Sequence, residues 1–92
     1  MNSQKWRVHG GLLWEKWPDE VIVFNLVSGE THQLNHVASQ VLSWFESSPQ
    51  TIEDLVVKYC DEFGVAEKAE VEQLLSRLLE EFDDLGLVEP VE

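Results

Sequence analysis

The sequence predicts a single α+β domain in which a three-stranded antiparallel sheet is followed by three helices. Up to about residue 34 the apolar residues lie in short β-branched and aromatic runs, and beyond it they recur at a helical spacing near 3.6. Pro and Gly residues separate the strand-like runs from one another. With 92 residues, the chain can form one small core and has no room for a second domain or an enclosed enzymatic cavity.

The first two strands of this sheet are predicted at residues 12–16 and 21–27. Both runs are rich in aliphatic and aromatic residues, and Pro18 between them presets the backbone for a tight turn. These runs should therefore form a hairpin. Residues 5–9 are expected to add a further short strand ahead of it.

The third strand is predicted at residues 30–34, after a Ser-Gly turn in which Gly29 can adopt positive φ. If Gly29 occupies a bulge, Leu34 falls on the same face as Ile22 and Phe24. A shift of one residue would exchange the two faces. Most of this strand is polar, with Glu30, Thr31, His32 and Gln33 in succession.

Helices are predicted at residues 35–46, 51–63 and 66–85, followed by a short extended tail. Asn35 is a favourable N-cap, and Thr51 with an acidic residue three positions later resembles a capping box. The third helix is amphipathic. Its apolar side holds Val71, Leu74, Leu75, Leu78, Leu79, Phe82 and Leu85, and Phe82 and Leu78 are expected in the core. Its acidic residues, Glu81 among them, are expected on the opposite, solvated face.

Acidic residues are concentrated in the second half of the chain. Residues 1–45 contain three basic and four acidic side chains, whereas residues 46–92 contain three and fourteen, which gives a net charge of −12. Such a surface repels phosphate groups and suits a soluble protein or a basic partner. The lone Cys60 cannot form an internal disulfide, and no apolar run approaches the roughly 20 residues needed to span a bilayer. We therefore expect a cytoplasmic location and no membrane contact.

Residues that could support catalysis or metal binding are scattered. His9, His32 and His36 have neither the spacing nor the accompanying ligands of a structural zinc site. Cys60 is followed by Asp61, an acidic neighbour that disfavours a reactive thiolate. The sequence therefore predicts no metal site, no cofactor and no enzymatic activity.

A small sheet followed by three helices is also the layout of a winged helix-turn-helix, so a DNA-binding regulator is one alternative. The third predicted helix opens with the acidic segment AEKAEVE, however, and DNA binding depends on Lys and Arg to neutralise phosphates. A purely structural protein-interaction domain is a second alternative. We expect no nucleic-acid partner.

The polar third strand has two interpretations if it lies at the edge of the sheet. Its charge and polarity could simply protect exposed backbone groups from unwanted pairing. Alternatively, the edge could be left open so that an extended peptide adds a further strand. Both interpretations are compatible with the composition of the strand.

The order of motifs across nearly the whole chain resembles the PqqD-like family of small peptide chaperones, which includes the recognition elements of ribosomally made, modified peptides. The family's Leu-Asn entry into the first helix matches Leu34-Asn35, and its terminal Leu-Gly-Leu matches the segment 85–87. Its intervening Ala and aliphatic pair match Ala38 and Val41-Leu42. Trp14, Trp17 and the SGETH turn are similar to a subgroup associated with HPr kinase-related systems.

The resemblance implies that the leader segment of a precursor peptide pairs with the third strand, at Thr31, His32, Gln33 and Leu34. Apolar leader residues would fill a groove whose helical wall is drawn from Val71, Leu75 and Leu78. The partners implied are a precursor peptide and a peptide-modifying enzyme.

The sequence departs from the family pattern in the segment ESSPQT after the first helix, where family members often have Asp-Gly. Pro49 provides the turn here by fixing φ.

Overall fold

A computed structural model describes residues 4–91. Within this range the chain forms an α+β domain whose helices follow the first four strands, as the sequence predicts. The strands are β1 Lys5–Val8, β2 Leu12–Lys16, β3 Val21–Asn25, β4 Thr31–Leu34 and β5 Val88–Val91. The helices are α1 His36–Ser47, α2 Ile52–Phe63 and α3 Lys68–Asp84.

The predicted three-stranded antiparallel sheet is present, with the order β2-β3-β4. Its register differs by one residue from the prediction. Leu34 lies opposite Val21 and therefore shares a face with the buried Val23, whereas Ile22 and Phe24 lie on the other face. The prediction that Leu34 shares a face with Ile22 and Phe24 is thus wrong.

The cause of the register is the connection that follows Asn25. Strand β3 ends at Asn25 instead of continuing to Val27, because the Asn25 side-chain oxygen accepts hydrogen bonds from the backbone N–H groups of Val27 and Ser28. The Asn25 backbone N–H donates to the Glu30 carbonyl at 2.8 Å and closes a four-residue loop. No bulge is inserted in the paired strands, so the two faces exchange relative to a bulged hairpin.

A second sheet consists of β1 and β5, with Lys5 opposite Val91 and Val8 opposite Val88. The sequence predicts both segments as extended but does not pair them. Trp6 also forms an isolated bridge to Gln50, in which each backbone N–H donates to the other residue's carbonyl at 2.8 Å. This bridge attaches the small sheet to the segment between α1 and α2.

The helices begin where their capping residues allow. The Asn35 side chain accepts from the Ala38 N–H at 2.7 Å, and Thr51 forms the predicted capping box with Asp54. Gly64 ends α2 in the left-handed conformation with φ of 64°, which its lack of a Cβ permits. Helix α3 begins at Lys68, two residues later than predicted, and Glu67 at its N-cap makes no side-chain capping bond.

The core lies between the inner face of the three-stranded sheet and the three helices. Val23 and Leu34 of the sheet belong to one buried cluster with helical residues that include Leu42, Phe45 and Phe82. Phe82 is 1% exposed, which confirms its predicted core position, and Leu78 packs partly buried against the cluster. Among residues 4–91, no helix has both the length and the apolar character to cross a membrane.

Candidate functional site

Strand β4 is an edge strand. It pairs with β3 on one side, and in the described part of the chain no strand pairs with its other side. Thr31 and Gln33 are exposed, His32 is half-buried and Leu34 is buried. The strand thus combines an accessible main chain with side chains that alternate between solvent and core.

Two backbone hydrogen bonds define which main-chain groups of β4 face outward. At the end of the β3–β4 pair, the Asn25 N–H donates to the Glu30 carbonyl. At the turn between β2 and β3, the Trp17 N–H donates to the Glu20 carbonyl. Hydrogen-bonded pairs alternate with non-bonded pairs along antiparallel strands, and both contacts give the same alternation. The N–H and C=O groups of Thr31 and Gln33 therefore point away from β3 and toward the open edge.

Beside this edge lies a groove of about 120 Å³ between β4 and the C-terminal half of α3. One wall comes from the end of β4 and the start of α1, at Gln33, Leu34, Asn35 and Ala38. The facing wall comes from Leu78, Glu81 and Phe82 of α3 and from Leu85, the C-cap that directly follows the helix. These residues share one side because they are three or four positions apart. Unpaired backbone groups therefore lie beside a groove that combines apolar side chains with the polar residues Gln33, Asn35 and Glu81.

Asn25 also connects this edge to α3. Its side-chain amide donates to the Gly86 carbonyl at 3.2 Å, just beyond the end of α3, while its oxygen holds the β3–β4 loop. Asn25 is 5% exposed, so these bonds satisfy a buried polar side chain. The β3–β4 loop and the end of α3 are thereby held in a fixed relation.

His32 is the unusual polar residue of the edge strand. Its side chain points to the inner face, since it is paired with the buried Val23. The Nε2 atom is buried and has no hydrogen-bond partner among the described residues. Leaving such an atom unpaired typically costs about 1–3 kcal/mol. The position of the His32 side chain is therefore determined by the register of β4, and no hydrogen bond at Nε2 stabilises it.

The described residues contain no group of three or more His, Cys, Asp or Glu side chains placed to hold a metal ion. The larger surface depressions lie elsewhere. One of about 510 Å³ is open and runs along Ala69, Glu72, Gln73, Ser76 and Arg77 of α3 alone. Because a single helix lines it, that depression has no second wall to enclose a ligand.

Comparison with known families identifies the chain. The profile of the family "Coenzyme PQQ synthesis protein D (PqqD)" matches residues 20–88. The chain belongs to the PqqD family. The match begins before β3 and ends at the start of β5, so it includes both the open edge and all three helices. A search of curated proteins finds no matching relative.

Two solved structures are similar to this PqqD-family chain over nearly its whole length. The structure entitled "TbiB1 in Complex with the TbiA(beta) Leader Peptide" has 25% sequence identity and a TM-score of 0.78, and the alignment covers 90% of this chain and 94% of that one. The structure entitled "Lasso peptide synthetase B1 complexed with the leader peptide" has 16% identity and a TM-score of 0.74, with coverage of 92% and 98%. At that lower identity the similarity concerns the fold. The association with HPr kinase-related systems stays a prediction.

The predicted site residues divide into two groups in this PqqD-family fold. Thr31, His32, Gln33 and Leu34 form the edge strand itself, and Leu78 lies in the adjacent groove. Val71 and Leu75, by contrast, are 3% and 0% exposed and belong to the core, outside the residues that line the groove.

The structure also corrects the position of Glu81. The helix pattern predicts Glu81 on the far face of α3, but it lines the groove together with Phe82 and Leu85, none of which is among the predicted binding residues. The sequence does contain a signal, because all three follow Leu78 at spacings of three, four and seven. Which end of α3 meets the edge strand depends on the tertiary arrangement, and that is not evident from the helix pattern.

Proposed function

We propose that this protein binds the leader segment of a ribosomally made precursor peptide and presents it to a peptide-modifying enzyme. The leader adds a strand to the open edge of β4, where the main chains of Thr31 and Gln33 offer two N–H donors and two C=O acceptors. Apolar leader residues enter the groove along Leu78 and Leu85. The protein acts in the cytoplasm and as an adaptor, without catalysis of its own.

The observation that carries the proposal is the juxtaposition of an unpaired strand edge with a groove that contains the apolar side chains of Leu34, Leu78 and Leu85. Strand addition obtains affinity from main-chain hydrogen bonds and selectivity from nearby side-chain pockets, and this site provides both. Membership of the PqqD family and the 25% identity to a protein solved with a leader peptide support the same function. A groove of this size suits a few side chains and is too small to enclose a drug-sized substrate.

Each predicted binding residue is expected to make a different kind of contact with the peptide. Thr31 and Gln33 contribute mainly their backbones, whereas Leu34 and Leu78 contribute apolar surface. His32 does not offer its main chain to the added strand, because its N–H and C=O groups bond to β3 and its side chain points to the inner face of the sheet. Val71 and Leu75 support the groove from the core, so changes there would act through folding.

A display library of random 15-residue peptides tests the proposal and does not require the sequence of the natural leader. Peptides selected on the wild-type protein would be synthesised and titrated into isotope-labelled protein, with amide shifts followed by NMR. We expect the largest shifts in residues 31–34 and 78–85. Shifts confined to the β2–β3 hairpin or to the N-terminal half of α3 would contradict binding at the β4 edge.

A further inference from the structure

We propose that Glu81 makes the groove selective for peptides that carry a Lys or Arg residue opposite it. This inference rests on the proposed peptide-binding function and specifies which leaders the site accepts. Seven of the eight groove-lining residues are uncharged, and Glu81 is the eighth. A single carboxylate in an otherwise uncharged groove can determine which charge a bound side chain may carry.

The position of Glu81 on α3 places it at the rim of the groove. Phe82 is buried in the core, Leu78 and Leu85 are half-buried, and Glu81 is exposed. The floor is therefore apolar, while the carboxylate remains hydrated when no peptide is present. A peptide along β4 would contact the apolar floor with one side chain and bring the side chain two residues away, which points to the same face of the sheet, close to the carboxylate.

No cation of the described chain neutralises this carboxylate. The ion pair found among residues 4–91 joins Arg7 to Glu89, between β1 and β5. Arg77 precedes Glu81 by one helical turn, but it lines the separate open depression on α3 and makes no ion pair with Glu81. An Arg that precedes a Glu by four residues is also the less favourable order for a helical pair.

The electrostatics of docking favour a cationic peptide over an acidic one. When a peptide covers the groove, it removes water from Glu81, and desolvation of an unpaired carboxylate is unfavourable. A Lys or Arg restores the lost interactions, and Arg can do so with two parallel hydrogen bonds. An Asp or Glu at the same place would add like-charge repulsion to the desolvation cost. The net charge of −12 acts in the same direction at long range.

The test compares peptide selection by the wild-type protein with selection by two variants at this position. Random 15-residue libraries would be selected in parallel on wild type, Glu81→Gln and Glu81→Lys. We expect wild type to enrich Lys or Arg at one position relative to an apolar residue, Glu81→Gln to lose that enrichment, and Glu81→Lys to replace it with Asp or Glu. The matched control is Glu80→Lys, which has the same charge change on the same helix but lies in a different depression with Trp6 and Ile52.

The size of the charge preference is measured as the Kd of one selected peptide and of its Lys→Glu counterpart for each protein variant. For the Lys-containing peptide we expect Kd to rise about threefold in Glu81→Gln and about tenfold in Glu81→Lys, since exposed ion pairs are worth a few-fold in affinity and charge reversal adds repulsion. The Glu-containing peptide should bind better to Glu81→Lys than to wild type. The preference should weaken with added salt.

Three contradicting outcomes are distinguishable. If wild type selects peptides that shift residues 31–34 but Glu81→Lys selects the same charges, the role of Glu81 is refuted and peptide binding stands. If Glu80→Lys changes the preference as much as Glu81→Lys, the selectivity is a general effect of net charge and the specific role of Glu81 is refuted. If wild type selects no peptide at all, both the selectivity and the peptide-binding function are refuted.

Discussion

At the scale of single residues, Gln33 separates the role of a main chain from that of a side chain. Its N–H and C=O groups point toward the open edge, while its side-chain amide bonds to Glu20 on the solvent side of the sheet. The adjacent His32 has the opposite arrangement, because its main-chain groups bond to β3. Two neighbouring residues of one strand can therefore report separately on peptide binding and on folding.

Replacing Gln33 by Pro should abolish strand addition, because proline removes the outward N–H donor and fixes φ. Gln33→Ala should leave the Kd of a selected peptide within about twofold, since only an exposed side-chain contact is lost. Fluorescence anisotropy with a labelled peptide measures both. The control is His32→Pro, which should lower the free energy of unfolding because its N–H belongs to the ladder with β3. Equal binding by Gln33→Pro and wild type would show that the backbone of β4 is not the contact.

At the scale of whole elements, α3 contributes to the core along its whole length and also lines the groove near its C-terminal end. Val71 and Leu75, in its N-terminal half, are buried, whereas Leu78 and Leu85 reach the groove. Phe82 belongs to both sets, because it is buried in the core and also lines the groove. Folding and binding therefore use overlapping parts of the same apolar stripe.

Leu78→Ala should raise the Kd of a selected peptide about tenfold. Full burial of a leucine side chain is worth about 1.5–3 kcal/mol, and each 1.4 kcal/mol is a factor of ten in Kd. Leu74→Ala is the matched control, since Leu74 is 38% exposed on the same helix and does not line the groove. Calorimetric titration measures both affinities. A larger effect at Leu74 than at Leu78 would place the binding surface on a different side of α3.

The N-terminal capping of α2 by Thr51 and Asp54 can be tested through its pH dependence. The Thr51 backbone N–H donates to the Asp54 carboxylate at 3.0 Å and, as the largest cause, lowers the pKa of Asp54 below its ordinary value of 3.8. A lowered pKa means that the ionised carboxylate stabilises the folded state above pH 3.8, and that this contribution disappears as pH falls through the folded-state pKa.

Asp54→Asn should therefore unfold more easily than wild type at pH 7, and the difference should shrink toward pH 3. Denaturant titrations at the two pH values measure it. Glu62→Gln, an exposed change in the last turn of the same helix, should not destabilise at pH 7, because an acidic residue near a helix C-terminus opposes the helix dipole. An Asp54→Asn deficit that persists unchanged at pH 3 would show that the charge is not what caps the helix.

How far the sequence can predict this fold also depends on the element. The helices and the β2–β3 hairpin are predictable because their signals are local: Asn35, Thr51 and Gly64 lie at the helix ends, and Pro18 lies in the turn. The pairing of β1 with β5 is not, since it joins segments about 80 residues apart and each is short. The register of β4 depends on the Asn25 side chain, which ends β3 by bonding to the loop. For the site, the edge strand is predictable, but the part of α3 beside it requires the tertiary arrangement.

At the scale of the whole molecule, charge distinguishes this protein from a DNA-binding domain of similar layout. The net charge is −12, and the first turn of α3 contains Glu70. We expect no measurable binding to a labelled nonspecific DNA duplex at micromolar protein and about 50–150 mM salt, because phosphate binding requires Lys and Arg. Anisotropy measures this, and a selected peptide in the same buffer confirms that the protein is active. Affinity for the duplex that falls steeply with salt would contradict the expectation.

The pairing of β1 with β5 has a consequence for how this domain can be joined to other proteins. Lys5 lies opposite Val91, so the described polypeptide enters and leaves within about 5 Å, the usual separation of paired residues in an antiparallel ladder. A host protein could therefore accept the domain as a cassette within one surface loop, with its own fold interrupted at a single point. Neither β1 nor β5 pairs with β4. The strand edge would remain open after such an insertion. The domain could therefore be inserted into different enzymes without any change to the residues that line its groove.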